Sequence, residues 1–408
     1  MDNIRFNAFI STTLVAIFFA ADLAAYQFSS DIGVESSARS VRYSSALNPG
    51  NVQGENQFSC LIRGSVMFKN DFSQNVNGMI RLGAEGSSAK YRQSDVSERV
   101  YIKEGYIDLA QQYFSIRTGR QFIKWGSGVF FNPSDVVNNT RDPLRPASDA
   151  EGVTFAQVSV PIESFAAVDL FGIVRQDDTE KLQSVPLCAR FSFSSSNLSS
   201  FVFLMRNGDG RPVSGFDISY VTPLGELMTM MLYSESHFKL KSDRTVVSSN
   251  AGSYAAEKRG GGSYLGVMGG SQLTLKVPGL KTFDAYKLTA EYCYDDENMS
   301  KGEYSTLLDS VKSDPANAGY YLPFKSSKSY LYTALGISNF MVYDLTFSWG
   351  SVINLSDKSV LFVPSFSYLY ADSTELTLKS QITCGKSDSE FGSWFSAVNT
   401  TAGASYSF

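Results

Sequence analysis

The 408-residue chain has one histidine and four cysteines, and each scarcity removes a class of function. His237 is the only imidazole, so a histidine-based hydrolytic centre would rest on it alone, beside Ser234, Glu235 and Ser236 where an extended run gives way to a long loop. Serine-rich loops recur throughout the chain; His237 therefore reads as a surface residue, no catalytic residue is assigned, and the chain reads as a non-enzyme. Cys60, Cys188, Cys293 and Cys384 lie far apart, whereas metal ligation uses closely spaced pairs, so no metal site and no cofactor is expected. They read as single buried thiols on an apolar wall, with a disulfide between two of them left open. No phosphate-binding loop or dinucleotide fingerprint is present. The net charge of -5 offers no basic face for nucleic acid. After residue 25 there is no run of about 18 apolar residues, which excludes a transmembrane helix in the rest of the chain.

What the chain does have is aromatic, small and evenly mixed. Phe and Tyr number 30 and 22, Gly numbers 32, and the mean hydropathy is -0.10. A bundle of membrane helices would be far more apolar. A barrel wall that alternates lipid-facing apolar and lumen-facing polar residues averages to near neutrality, as here. At the N-terminus Arg5 precedes the mostly apolar stretch Phe9 to Leu23, with Ala24 and Ala25 after it, the order of an export signal cleaved near Ala25. A membrane anchor is the other reading, but Thr12, Thr13 and Asp22 interrupt the run. The expected organisation is a signal peptide over 1–25 and a β-barrel over 26–408.

Period-two alternation carries the fold. Leu376, Leu378 and Ile382 share one face against Glu375, Thr377, Lys379 and Gln381; Tyr343, Leu345, Phe347 and Trp349 oppose Asp344, Thr346 and Ser348; Tyr286, Leu288, Ala290, Tyr292 and Tyr294 oppose Lys287, Thr289, Glu291 and Cys293. About seventeen such segments run from Gln57 to Phe408, joined by alternating short and long connections. If the last strand descends to the periplasm, the first of these descends too, and an ascending strand must precede it. Val34 to Leu47 supplies it, giving an all-β, antiparallel transmembrane barrel of about eighteen strands, with sixteen as the other even count considered.

Two motifs carry a resemblance. Thr401, Gly403, Tyr406 and Phe408 end the chain in the order polar, any, Gly, any, any, aromatic, any, aromatic, which resembles the C-terminal assembly signal of bacterial outer-membrane proteins. This implies the barrel-assembly machinery and outer-membrane lipid as partners, in the bacterial outer membrane. Gly119-Arg120-Gln121, Trp125-Gly126 and Asn132-Pro133-Ser134-Asp135 are similar to a pattern in porin-like outer-membrane proteins related to alginate-export barrels, over about thirty residues.

By the strand count, Phe122 to Glu151 is the third long loop, and in general porins the loop at that position folds inward. Lys124, Asp135, Arg141, Asp142, Arg145, Asp149 and Glu151 would then set opposing charges in a narrow gap. A solvated surface loop is the competing reading. Strand phase assigns Arg63, Arg81, Arg117, Asp169, Arg175, Arg190, Asp217, Glu291, Asp344 and Glu375 to the lumen lining, together with Lys287 and Lys379. Mixed signs argue against a strong ion preference, and a salt-bridged, plugged interior is the alternative. The expected function is passive or weakly selective passage of small polar solutes. A barrel whose long loops bind a host or matrix partner and an importer of hydrophobic molecules are the other readings, and assembly as a monomer or a homotrimer stays open.

Overall fold

A computed structural model describes residues 27–55, 57–87, 98–137, 143–144, 152–174, 185–206, 211–242, 244–250, 253–278 and 283–408. The expected signal peptide lies outside the described residues.

The chain runs through β1 (Gln27–Val41), β2 (Phe58–Ser73), β3 (Val76–Ser87), β4 (Glu98–Ala110), β5 (Ser115–Gln121), β6 (Val153–Ile162), β7 (Ala166–Val174), β8 (Leu187–Ser194), β9 (Leu198–Arg206), β10 (Pro212–Pro223) and β11 (Met228–Leu240). A hairpin follows, β12 (Thr245–Asn250) with β13 (Ser253–Lys258), and then β14 (Ser263–Pro278), β15 (Phe283–Asp295), a helix α1 (Lys301–Ser313), β16 (Ser329–Ile337), β17 (Leu345–Asn354), β18 (Val360–Ala371), β19 (Thr374–Cys384) and β20 (Ser396–Ser407). Every strand but the hairpin pair joins one 18-stranded antiparallel sheet in which each pairs with its chain neighbours, β11 passing directly to β14. β20 pairs with β1 from Asp31↔Ser407 to Val41↔Ser396, so the sheet closes on itself and has no free edge.

Closure follows from the side-chain alternation. Leu170, Val202, Leu204, Ile218, Leu232, Leu288, Tyr292, Leu376 and Leu378 stand exposed on the outer wall, while Asp169, Phe203, Asp217, Tyr233 and Glu291, each next to one of them in the chain, are buried inside. An exposed apolar band around the whole barrel is stable only against hydrocarbon. One rim carries short turns such as 74–75, 163–165 and 372–373, and the other carries 42–57, 122–152, 241–262, 296–328 and 385–395. Aromatic residues gather near the short-turn rim: Phe165 with Phe193, Phe340 with Phe347 and Phe366, Tyr368 with Tyr370 and Tyr406 with Phe408. Rings of this kind favour the boundary between hydrocarbon and water.

Three details differ from the sequence reading. The first strand begins earlier than Val34 and ends before Leu47, because its outward positions beyond Val34 are the small residues Ser36, Ala38 and Ser40, which mask the alternation. Asp344 does not line the lumen: it sits in the turn before β17 with φ 64°, its N–H bonded to Asn339 Oδ1 at 3.1 Å, so alternation ends one residue short of it. The 296–328 loop contains α1, whose start is fixed by a capping box in which Ser300 and Glu303 exchange hydrogen bonds. Tyr304, Leu307, Leu308 and Val311 give α1 its buried face, against Leu47, Val247 and Tyr321 of neighbouring loops. All four cysteines are thiols; Cys188 and Cys293 are buried inside the barrel, and Cys384 is exposed.

Candidate functional site

The third long loop enters the lumen because its sequence offers backbone amides where the wall offers carboxylates. Asp217 on β10, Glu235 on β11 and Glu291 on β15 all point inward. Asp217 accepts from Ser127 N at 2.8 Å and Ser127 Oγ at 2.5 Å. Glu235 accepts from Gly128 N at 2.5 Å, Ser134 N at 3.2 Å and Ser134 Oγ at 2.7 Å. Glu291 takes the successive amides of Val129, Phe130 and Phe131 at 2.5, 2.9 and 3.1 Å, and the Tyr233 hydroxyl at 2.7 Å. Amides that would be orphaned in an irregular loop are thus satisfied by charged acceptors, the stronger kind of hydrogen bond.

Two glycines make the close approach possible. Gly126 has φ 87°, and a β-carbon there would meet the Glu235 carboxylate at 2.5 Å; one at Gly128 would meet the Phe131 carbonyl oxygen at 1.9 Å. Apolar anchors flank the polar contacts. Trp125 is buried against Phe171, Phe201 and Phe203, with the Arg190 guanidinium over its ring at 5.3 Å. Phe130 stacks on Tyr332 with ring centroids 4.6 Å apart, and Phe131 packs beside Tyr330. Further along, the Leu144 carbonyl accepts a hydrogen bond from Lys379 of β19. The loop therefore fills the β6–β16 side of the lumen and reaches the opposite wall.

What remains open is a cavity of about 1210 Å³ along β1–β4 and β18–β20, bounded by Leu144, Phe324 and Trp394. Its wall charges are mostly paired across strands. Arg63 meets Glu35 at 2.8 Å, Arg39 meets Glu55 at 2.9 Å, Arg99 meets Glu85 at 2.6 Å and Arg81 meets Glu104 at 3.6 Å. Glu375 accepts from Ser367, and Asp31 accepts from Ser65 at 2.5 Å. These half-buried pairs contribute little to stability, but they leave a strongly polar surface along the gap.

The residues read from the sequence divide by environment. Arg63, Arg81, Glu375 and Lys379 line the cavity. Arg117 pairs with Asp108 at 2.5 Å on the inner wall. Asp169 and Arg190 pair at 2.7 Å, with Asp169 buried and Arg190 half-buried beneath Trp125, and Asp217 and Glu291 are buried under the loop, so these three carboxylates do not line open water. Arg175 lies outside the described residues. Lys124 is exposed and Asp135 half-buried, whereas Arg141, Asp142, Arg145, Asp149 and Glu151 lie outside the described residues. His237 is not a surface residue: it is 3 % exposed on β11. The sequence reading did not single out Glu235 and Ser134 as loop anchors. The inward phase shared by Asp217, Glu235 and Glu291 was their only signal.

At the long-loop rim, Glu390 of the 385–395 loop ties the 296–328 loop to the ends of β16 and β17. It is buried and accepts from Phe324 N at 3.0 Å, Tyr330 Oη at 2.8 Å and Asn354 Nδ2 at 2.9 Å. Burial pushes its carboxyl up to about 7 against the pull of these donors, and nearby Asp357 adds to the rise. A raised carboxyl favours the protonated folded form, so the stability it lends is full below about 4.5 and is lost as pH rises through about 7. The loss is on the order of 3 kcal/mol. Docking of the 385–395 loop should therefore loosen between about pH 5 and 8, and Glu390→Gln should remove that dependence. Trp394 fluorescence, taken as the difference from Trp394→Phe, reads it; an unchanged pH profile in Glu390→Gln would refute the assignment.

The sequence matches no protein-family model and no curated protein. Its fold does have neighbours. Acinetobacter baumannii OccAB1 superimposes with a TM-score of 0.58 at 9% identity, over 94% of this chain and 96% of that one. Pseudomonas aeruginosa OprD gives 0.55 at 10% identity, over 94% and 95% of the two chains. Pseudomonas aeruginosa OpdK, solved with vanillate, gives 0.55 at 9% identity, over 94% and 98%. Sequence identity this low carries fold and nothing finer. The chain is a closed eighteen-stranded antiparallel β-barrel whose fold is similar to those of OccAB1 and OprD.

Proposed function

We propose that this protein is an outer-membrane channel for passive or weakly selective passage of small polar solutes. The observation that carries the reading is the division of the lumen: one side is filled by an anchored loop, and the other keeps a cavity of about 1210 Å³ lined by charges of both signs. A barrel built only to display loops has no need of an aqueous gap walled by ion pairs. A route for hydrophobic molecules would want apolar lining, and Arg63, Arg81, Arg99, Lys379 and Glu375 argue against that.

In this reading residues 1–25 are a cleaved export signal, the short-turn rim faces the periplasm, and the barrel-assembly machinery inserts the chain through its last strand. The constriction lies between the third loop and the β18–β4 wall. Lys124, Asp135 and the five charged residues from Arg141 to Glu151 set its field together with Arg63, Arg81 and Glu375. Small organic acids belong in the solute panel because OpdK was solved with vanillate.

Reconstitution of the full-length mature chain in planar bilayers tests this. Discrete, stable open-channel steps are expected, together with liposome swelling in sugars, amino acids and organic acids. Absence of any stable open state in a correctly folded barrel would overturn the channel reading in favour of a surface-binding role for the loops.

A further inference from the structure

At the long-loop end of the wall, register places His237 of β11 opposite Gly266 of β14, and Gly266 opposite Asp295 of β15. The three form one inward-facing row across three strands. A β-carbon at Gly266 would meet the His237 ring at 2.2 Å, so only glycine lets the imidazole lie across the middle strand toward Asp295. The same device recurs lower in the sheet. Gly270 lets Tyr233 reach across β14 to Glu291, and that row closes in a hydrogen bond of 2.7 Å.

The upper row does not close. His237 Nε2 stands 4.0 Å from Asp295 Oδ1 and has no hydrogen-bond partner, although the residue is buried. Nδ1 lies 2.9 Å from the Pro133 carbonyl oxygen. A carbonyl only accepts, so Nδ1 carries the proton and Nε2 presents an unshared lone pair to the gap. Glu297 completes the arrangement: donor atoms of His237, Asp295 and Glu297 all lie within 4.8 Å of one another.

We propose that His237 Nε2 and the carboxylates of Asp295 and Glu297 bind a divalent transition-metal ion of the zinc type. One imidazole and two carboxylates form a donor set that zinc accepts, and a fourth position is left for water. Two donors each about 2.1 Å from one ion stand about 3.4 Å apart at the tetrahedral angle, so the 4.0 Å His237–Asp295 gap has to close by roughly 0.6 Å when an ion binds. Rotation of the Glu297 side chain brings in the third. The Nδ1 bond to Pro133 is the kind of outer contact that fixes the tautomer of a metal-binding histidine.

Both Glu297 oxygens are already bonded, so its rotation toward the ion exchanges part of these contacts for the metal. Glu297 accepts from Lys239 Nζ at 2.8 Å and Ser242 Oγ at 2.7 Å, and Asp295 Oδ1 accepts from Glu297 N at 2.9 Å. Carboxylate oxygens have lone pairs to spare for a metal. Lys239, Arg244 and Lys325 all stand near the two carboxylates and oppose the ion's charge, so the fit rests on the donor geometry. Pro133 belongs to the constriction loop and Glu297 to the 296–328 loop, so a bound ion would pin both to the wall at β11. The sequence reading assigned no metal because these ligands have no local spacing and meet only through strand register.

Calorimetric titration of the full-length, metal-stripped barrel in detergent with zinc tests the site, with cobalt as the spectroscopic probe. A single saturable equivalent is expected, with a cobalt absorption spectrum showing mixed nitrogen and oxygen ligation. His237→Gln should weaken zinc binding about tenfold or more. Gly266→Ala should do the same while leaving all three ligands in place, because it displaces the ring. Circular dichroism and heat-modifiable migration check that each variant is folded. Should a variant not fold, the wild-type cobalt spectrum decides alone. No saturable uptake by the wild-type protein, meaning that a water fills the gap, or uptake equal in wild type and both folded variants, overturns the proposal.

Discussion

Single-channel conductance should rise severalfold when Glu235 and Glu291 are both replaced by alanine, because the loop they hold would leave the lumen. Together they accept five loop amides, from Gly128, Val129, Phe130, Phe131 and Ser134, and the Ser134 hydroxyl. A buried N–H stripped of its acceptor costs about 1–3 kcal/mol, so five of them cost on the order of 10 kcal/mol unless water reaches them. Against this stand Trp125, Phe130 and Phe131, whose burial is worth about 1.5–3 kcal/mol each. The polar cost is at least equal to the apolar gain, and the lumen offers water within reach. The amides turn to that water and the loop swings out. The barrel itself should persist, since its wall hydrogen bonds do not involve the loop. Glu291→Ala alone should give an intermediate and noisier conductance, Glu291 being the acceptor of three successive amides. Unchanged conductance in a folded double variant would show that the loop does not restrict the pathway, and the proposed constriction would fall with it.

Loss of the terminal aromatics should have a comparable effect on the amount of protein in the membrane. Phe408 exchanges backbone hydrogen bonds with Ser30, accepting at 2.8 Å and donating at 2.9 Å, and its ring lies beside Phe28 and Tyr406. These contacts close β20 against β1 at the short-turn rim. Tyr406→Ser with Phe408→Ser exchanges two rings at a lipid boundary for hydroxyls, which removes the ring contacts with Phe28 and between the pair where the last strand must pair with the first. Export should continue, since the N-terminal residues are untouched. Fractionation is expected to show a severalfold fall in outer-membrane protein, with the remainder in the periplasm or degraded. Normal insertion of the double variant would remove the assembly role from these residues.

The fold was legible in the sequence to an unusual degree for reasons visible in particular strands. Leu376 and Leu378 alternate with Glu375, Thr377 and Lys379, and the structure sends the first pair outward and the other three to the cavity. A wall between lipid and water imposes the strictest version of period two, and an even strand count follows from parity alone. The reading weakened wherever that pressure relaxes. Asp344 continued a pattern on paper but belongs to a turn, and α1 lies in a loop where no bilayer enforces a period.

The sequence by itself pointed to the barrel, to about eighteen strands with sixteen as the other count, to its closing strand and to the facing of most wall positions, because all of these depend on local alternation and turn chemistry. Tertiary structure decided what the inward residues do. Asp217 and Glu291 became acceptors for a loop, Asp169 a buried partner of Arg190, and His237 a member of a three-strand row over Gly266. Alternation tells only which side of a wall a residue faces. Which partner it meets there depends on register between strands and on the path of a loop across the lumen, and both place together residues that are far apart in the chain.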